Sequence, residues 1–484
     1  MKKFLIAGGI AVVVLLAGAP AVTGWLAERG SEERLETLTT QLPLAAVTAH
    51  TYRRGWLSSE ETTTVEFFKG MKLPGAPKMV GTSAQPEHPL SFTLTVHSLI
   101  QHGPLPGFSS VGLARVESTV SFAVGEGKAD ATPTVIASPK IETVLGFLGG
   151  GRTTFSTKSY AEEPLKAGGY VSADPVEIVV NFGRHLDRYD VDWKAPHVRF
   201  RDNTGATFEL SGFRLVAHSH RLLRTLYAGD AELSLGTIEL AGLPSKDGPI
   251  SLGLKAVRMK TQADGVGDFM NTSMLFTVGA AEAAGKSLQG LTFDFSADHW
   301  QTDAFERLAA GSRAASFDTG ADPKAQAAAL LKVWQSAGVA LASHDPSFTI
   351  RDLEFATSDG GAKLSGSVGI KGATESDFAT PVDPRRLIPK VSLDFDITLD
   401  ETLAAALEAA QKAKAPPAPP PPPAKKGANR PPPAPAVPAD PIQPLIERGF
   451  VTREDGKLHT RIVFANGALT VNGKPFPGAR PAAP

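Results

Sequence analysis

The sequence predicts an α+β, β-rich protein: a long antiparallel curved sheet with accessory helices, following an N-terminal transmembrane or signal helix. Three observations carry this reading. The chain opens with a basic start and a long apolar stretch, many later segments alternate apolar and polar residues, and Gly, Pro, Asn and Asp punctuate those segments at short intervals.

The opening decides the compartment. Lys2 and Lys3 precede an uncharged stretch from Phe4 to Ala27. As a helix it is long enough for a hydrocarbon core of about 30 Å. A cleavable signal peptide would use the small residues Ala17, Gly18 and Ala19 ahead of Pro20 and Ala21. An uncleaved anchor would run on to Trp25 at the outer interface; the apolar stretch does continue past the small residues, which favours the anchor. Under either reading the lysines stay inside and the rest of the chain leaves the cytoplasm.

Composition narrows the partners. The 484 residues are 42% hydrophobic and 20% charged, as in folded rather than disordered chains. Lys and Arg number 49 against 50 Asp and Glu, so no general basic character favours nucleic acid. With no Cys, disulfides, thiolate metal sites and thiol nucleophiles are excluded.

After the anchor, "GSEERLETLTTQLPLAAV" reads as an amphipathic helix capped by Ser31, with Leu35, Leu38 and Leu42 on one face. From Tyr52, "YRRGWLSSEETTTVEF" loses that spacing, and the β-branched Thr62, Thr63, Thr64 and Val65 favour extended backbone. Gly55 before Trp56 would permit a bulge where this strand starts, with Trp56 and Leu57 plugging the sheet end. In "HPLSFTLTVHSLIQHGPLP", Leu90, Phe92, Leu94, Val96 and Ile100 share one face; Ser91, Thr93, Thr95, His97 and Gln101 share the other. Such alternation marks an antiparallel strand with one dry face. "GLARVESTVSFAVG", "VEIVVNF", "ATFELSGFRLVAHSH", "GDAELSLGTIEL", "ISLGLKAVRM", "LTFDFSA", "PSFTIRDLEFAT", "AKLSGSVGI" and "KVSLDFDITL" extend the series to Leu399.

Helices interrupt the strands. Asp322 and Pro323 open an Ala/Leu-rich helix, a shorter one covers Asp303 to Ala310, and Thr398 with Glu401 forms a capping box ahead of a helix ending near Lys412 and Lys414. Residues 415–441 are dominated by proline, which lacks the N–H that helix or central strand requires. They predict a stiff spacer, about 80 Å if fully extended at about 3.1 Å per residue. The tail regains hairpins, with Asp455-Gly456, Asn466-Gly467 and Asn472-Gly473 as turns. The expected organisation is an anchor or signal peptide (1–27), a β-rich exported body (28–414), a linker (415–441) and C-terminal strands (442–484) that dock on the main sheet.

"YRRGWLSSEETTTVEF", "SLIQHGPLP" followed by "GLARVESTV", and "GALTVNGKPF", in this order, resemble the YdgA-like bacterial envelope family, a domain of unknown function. The proline-rich insertion departs from the family's pattern. The resemblance implies a bacterial inner-membrane protein with a single N-terminal span and its body in the periplasm, or a soluble periplasmic protein after cleavage. It brings no catalytic residues. Its motif residues Gly55, Trp56, Ser58, Ser59, His102, Gly103, Pro104, Asn472 and Gly473 read as structural.

Each chemical motif has a plainer reading. "GFLGGGRT" (Gly146 to Thr153) copies the spacing of a phosphate-binding loop, but Arg152 replaces its lysine and "TTFSTKSY" looks extended. His218 and His220 share a strand face and could chelate zinc or copper, with His185, Asp187 and Asp190 as remote candidates. A solvated face is the simpler explanation. His102 reads as a structural turn histidine. "LSGSVG", with Ser367, lacks the strand-to-helix setting of a nucleophile elbow. Asp294, Asp298, Asp394 and Asp396 alternate along strands, as on any exposed sheet face. No catalytic, cofactor or metal site is therefore expected. The sequence points first to a non-catalytic interaction or scaffold protein tethered to the inner membrane. The alternative is a carrier of lipid or another hydrophobic ligand, and an enzyme is the least favoured reading. Envelope proteins, lipid and further copies of the chain are the partners left open; nucleic acid is not.

Overall fold

A computed structural model describes residues 45–54, 58–67, 91–102, 106, 111–125, 139–164, 169–243, 248–283, 285–316, 323–378, 383–414 and 442–476. The expected membrane segment, the helix expected over Ser31 to Leu42 and the proline-rich linker lie outside these residues. Among the described residues no helix is long and apolar enough to cross a membrane. The protein is β-rich, with antiparallel strands and few helices, and divides into two compact units: Met1–Met270 with Gln301–Ala340, and Asn271–Trp300 with Leu341–Pro484.

In the first unit β1 (Ala45–Arg54), β2 (Ser58–Phe67), β3 (Ser91–His102), β4 (Ala114–Gly125), β5 (Lys140–Leu145) and β6 (Gly151–Ser156) pair in succession, all antiparallel. β6 then pairs with β9 (Glu177–Phe182), past the hairpin of β7 (Tyr160–Pro164) and β8 (Tyr170–Ala173). β10 (Arg188–Arg201) is long enough to pair with β9 along its first half and β8 along its second. β11 (Thr207–Arg221), β12 (Tyr227–Leu243) and β13 (Ile250–Val266) follow. Two expectations need correction. Ala45 to Val47 are extended rather than the end of a helix, because Val47 pairs with Val65. Tyr52 belongs to β1, while the strand expected to start beside Gly55 begins at Ser58.

The alternation read in β3 and β4 positions the core. Ile100, Ala114 and Val116 are 0% exposed, and Leu94, Val96 and Val120 are buried with them. The same face carries polar pairs that satisfy each other: Ser98 Oγ lies 2.7 Å from Ser118 Oγ, and Thr143 Oγ1 2.8 Å from Thr153 Oγ1. Each pair stands directly opposite across two strands, so burying it leaves no hydroxyl unpaired.

From β10 to β13 the apolar phase slips by one residue at a single transverse row. Trp193 and Ala195 lead to Val198 and Phe200; on the neighbours, Phe213 and Leu215 answer Phe208 and Leu210, Leu233 and Leu235 answer Ile238 and Leu240, and Val257 and Met259 answer Leu252 and Leu254. The registers place Pro196, Gly212, Gly236 and Ala256 opposite one another at that slip. Gly212 and Ala256 have φ of 64° and 53°, outside strand geometry, which is how a crease can reset the alternation without a change of register.

The second unit contains β14 (Phe269–Ala283), β15 (Lys286–Gln301), β16 (Ser347–Thr357), β17 (Gly360–Ile370) and β18 (Val391–Asp400). β15 to β18 pair in sequence. β18 then pairs with β20 (Lys457–Ala465), from Leu393 opposite Phe464 to Asp400 opposite Lys457. The other edge of β20 carries β19 (Thr452–Glu454) and β21 (Ala468–Val471), and β22 (Lys474–Pro475) pairs with β21. The three tail turns are two-residue connections: Glu454 pairs with Lys457, Ala465 with Ala468 and Val471 with Lys474. Both residues of each have positive φ, from 49° at Asp455 and Asn472 to 77° at Gly467. Asn-Gly and Asp-Gly tolerate this conformation, which matches strand twist.

The α-helices among the described residues are α1 (Thr302–Ser316), α2 (Pro323–Ala342), α3 (Pro384–Leu387), α4 (Glu401–Lys414) and α5 (Gln443–Glu447). α1 runs past the expected Ala310. Its Gly311 faces α2 so closely that a Cβ there would stand 2.7 Å from Val333 Cγ1. The expected capping box does not form. Thr398 stays in β18, its Oγ1 3.0 Å from His459 Nδ1, because pairing with β20 claims that residue for the sheet.

Between β17 and β18, Asp377 accepts hydrogen bonds from Lys390 Nζ (2.6 Å), Thr374 N (2.7 Å) and Thr374 Oγ1 (2.8 Å). Lys390 above all, then Thr374, holds its carboxyl at about 2, below the ordinary 3.8. A lowered folded value means the contribution is complete above the unfolded value and fades as pH falls toward about 2. Acid titration of wild type and Asp377→Asn should therefore show a stability gap at neutral pH that closes across this interval. In the core, Ile100→Ala should cost about 3 kcal/mol in denaturant unfolding, from lost burial and the cavity left behind.

Candidate functional site

The strand registers of the second unit assemble apolar side chains into rows. Ala297, Phe348, Val368, Leu393, Phe464 and Leu469 stand opposite one another across six strands. A second row contains Phe295, Ile350, Gly366, Phe395, Ile462 and Val471, and a third Phe293, Leu353, Leu364 and Ile397. Directly paired residues project to the same side of a sheet, so each row is a continuous apolar track. Phe295 joins two tracks, with ring centroids 5.1 Å from Phe293 and 5.3 Å from Phe348. Gly366 leaves room for the Phe395 ring: a Cβ there would collide with that ring and with Asp394 O.

These tracks differ from the first unit's core in coverage. β5 alternates exposed or half-buried residues with fully buried ones. No residue of β16, β17 or β18 is buried, and every apolar residue of these strands named in the rows is half-buried. An apolar surface of this extent is what a hydrophobic ligand or a partner requires.

The alternate residues of the same strands carry ion pairs. Arg351 Nε lies 3.2 Å from Asp294 Oδ1, Lys363 Nζ lies 2.9 Å from Glu354 and 3.2 Å from Asp352, and Arg461 reaches both oxygens of Asp394 at 3.0 and 2.7 Å. The Arg461 guanidinium holds the Asp394 carboxyl below its usual range, and Glu354 and then Asp352 raise the Lys363 ammonium. Asp294 and Asp394 are thus held in ion pairs, while Asp396 faces Arg461 across the strands and Asp298 accepts from Ser296 Oγ at 3.4 Å. Such pairs orient an exposed face and contribute little each. Ser367 lies in the middle of β17, without the turn into a helix that an elbow nucleophile needs.

The family-motif residues fall in both units. Gly55, Trp56, Gly103 and Pro104 lie outside the described residues. Ser58 is exposed at the start of β2, the neighbouring Ser59 is buried opposite Ile100, and His102 ends β3 opposite Ala114. Asn472 has a defined task in the second unit. Its Oδ1 accepts from Arg461 N (2.7 Å) and its Nδ2 donates to Phe450 O (3.2 Å), while Gly473 completes the turn at φ 74°.

The histidine pair sits on an exposed face of β11. His218 Nδ1 is 2.8 Å from Asp190 Oδ1, and Asp230 stands opposite on the next strand. His220 pairs with Arg188 and Ala228, and the exposed His185 accepts from Arg184 Nε at 3.2 Å. Among the described residues no three His, Cys, Asp or Glu side chains gather into a metal-binding group. "GFLGGGRT" is a hairpin: Gly146 N donates to Gly150 O at 2.7 Å, and Arg152 already lies in β6 opposite Val144. The helix that a phosphate loop requires does not follow.

One polar cluster gives no sequence signal, because it falls in the buried phase of β1 and β2. His50 Nδ1 lies 3.0 Å from Thr63 Oγ1 and 3.6 Å from the buried Glu61 carboxylate. This is not a nucleophile relay. A relay uses one ring nitrogen for the hydroxyl and the other for the carboxylate, whereas here both partners share Nδ1 and Nε2 is buried without one.

The hydrogen bond to Asp190, helped by the charges of Asp230 and Asp190, raises the His218 imidazole above its ordinary value, with desolvation opposing it. A raised folded value means the stabilising contact is complete below the ordinary histidine range and is lost as pH rises through the folded value. NMR titration should find His218 titrating at higher pH than an exposed histidine, and Asp190→Asn should bring it back down.

Comparison with curated proteins and with solved structures finds no significant match. A family model described as "Bacterial protein of unknown function (DUF945)" matches residues 1–479, and the chain belongs to that bacterial family.

Proposed function

We propose that this protein is a membrane-tethered component of the bacterial envelope, without a reaction of its own, whose half-covered apolar sheet face holds the acyl chains of a lipid or a similar hydrophobic ligand. The observation that carries this reading is the set of apolar rows across β15–β18, β20 and β21, half-buried on all three of β16, β17 and β18. Six strands at about 4.8 Å apart span about 24 Å. That exceeds the roughly 15 Å of hydrocarbon in one bilayer leaflet, so a whole acyl chain could lie along a row. No charged side chain interrupts the rows, as acyl chains require.

The tether is the uncharged stretch from Phe4 to Ala27 behind Lys2 and Lys3, which would place the body in the periplasm. A curved sheet is favoured in the first unit. Val47 of β1 and Trp193 of β10 pack against one buried cluster, and Tyr52 and Tyr189 against another, although six strands lie between β1 and β10. A flat sheet would hold those strands about 33 Å apart.

The scaffold reading, placed first from sequence, has its own support in α2, where Leu331 and Trp334 are exposed. The two side chains are too few to rival the rows, and the lipid reading is preferred.

A photoactivatable fatty acid offered to the full-length protein in proteoliposomes should label peptides within residues 347–399, and Ile350→Asp with Phe395→Asp should remove most of that label while circular dichroism stays unchanged. Label confined to residues 1–27, or unaltered in the double variant, would sink the lipid reading.

A further inference from the structure

The registers of the first unit bring a set of strand connections to one end of the sheet. Arg54 opposite Ser59, His102 opposite Ala114, Leu145 opposite Gly151, Phe182 opposite Tyr189 and Arg221 opposite Tyr227 close the successive hairpins there, and the residues after Val266 turn at the same end. The three most exposed large apolar side chains among the described residues all lie at this end: Leu148 (89%), Val111 (69%) and Val266 (63%). Phe147, beside Leu148 at the tip of the β5–β6 hairpin, is exposed as well. One of the connections at the opposite end, between β10 and β11, is a polar turn in which Asp202 Oδ1 accepts from Thr204 N (2.8 Å) and Ala206 N (2.9 Å).

Charge is sorted the same way. Residues 146–152, 183–188 and 221–226 contain five arginines, Arg152, Arg184, Arg188, Arg221 and Arg224, against one acid, Asp187. All five are exposed, in a chain whose total charge is close to zero. Arg221 is used internally, donating to His185 O (2.5 Å) and Leu186 O (3.2 Å) and so tying two of the connections together. Arg184 lies against the hairpin tip, with its Cγ 3.2 Å from where a Gly149 Cβ would stand. Among the other acids of this end, Asp268 and Asp303 line a cavity of about 170 Å³ together with Leu222 and Leu223, and Glu306 is engaged by Thr225, whose N and Oγ1 both donate to its carboxylate.

We propose that this end of the first unit is a bilayer-contacting edge. Phe147, Leu148, Val111 and Val266 enter the interfacial region, and Arg152, Arg184, Arg188 and Arg224 meet the phosphates of anionic lipids. The arrangement fits a lipid surface better than a protein partner. The apolar side chains stand on separate protruding tips with guanidinium groups behind them, which follows the polarity gradient of a headgroup layer, whereas a protein interface would need one continuous complementary patch. Arginine can bury its stem beside the apolar tips while its head remains at phosphate depth. This contact is independent of acyl-chain binding on the second unit.

Because the chain has no cysteine, one introduced by Leu148→Cys can carry an environment-sensitive dye without background. Full-length protein in phosphatidylglycerol-rich proteoliposomes should show a blue-shifted dye shielded from aqueous quencher. The shift should vanish in pure phosphatidylcholine and weaken at high salt. The same dye at Asn203→Cys, in the opposite polar turn, should stay water-exposed. Arg184→Gln with Arg224→Gln should weaken the contact by more than tenfold, at roughly fivefold per arginine near an anionic surface. In protein carrying the dye at Val266→Cys, Phe147→Ser with Leu148→Ser should reduce the shift. A dye at position 148 that stays in water in the anionic vesicles, that responds no more than the one at 203, or that ignores lipid charge would overturn the proposal.

Discussion

Continuous antiparallel hydrogen bonding, with side chains alternating across the sheet, is the constraint on which the other features of this protein depend. A strand residue cannot choose its face independently of its neighbours. Once Val368 stands opposite both Phe348 and Leu393, all three must share a side, and the row they start extends to Phe464 on β20. The same rule produces different outcomes in different strands. In the first unit, Leu94, Ile100, Val116, Ile141, Phe155 and Ile178 form dry interior, while in β11 and β13 of that unit no residue is buried. In the second, equally regular rows stay half-covered across β16, β17 and β18.

Departures from regular geometry preserve these rows. Gly212 and Ala256 adopt positive φ where the apolar phase of four strands slips together, so apolar side chains continue beyond the crease without a break in register. Gly366 accommodates the Phe395 ring within the second row. The Asp-Gly and Asn-Gly turns of the tail connect strands through only two residues and leave the pairing of β20 no room to drift.

Several polar side chains singled out in the sequence have partners in the sheet. Asp294, Asp394 and Glu354 are held by cations on adjacent strands, His218 by Asp190, and Asn472 by backbone groups of Arg461 and Phe450. Exposed ion pairs of this kind add little stability each. Their effect is to keep one face wet, which confines apolar contacts to the other. Phe147 and Leu148 stand exposed at a hairpin tip beside Arg184, outside the core.

Much of the fold was legible from residues a few positions apart. Period-two alternation identified β3, β4, β11, β12 and β16 to β18, and Asn-Gly and Asp-Gly marked the tail hairpins, because strand faces and tight turns are local properties. β10 gives a weaker signal because Pro196 interrupts it, and β14 because "MLFTVGAA" is apolar on both phases. Thr398 looked like a helix cap until pairing with His459, sixty-one residues later, kept it in the sheet. The sequence by itself determined which side of most strands is apolar, the turns that join them and the family they belong to. Only the tertiary structure decided which apolar sides are covered and which loop tips share an end, since both depend on the pairing of segments far apart in the chain.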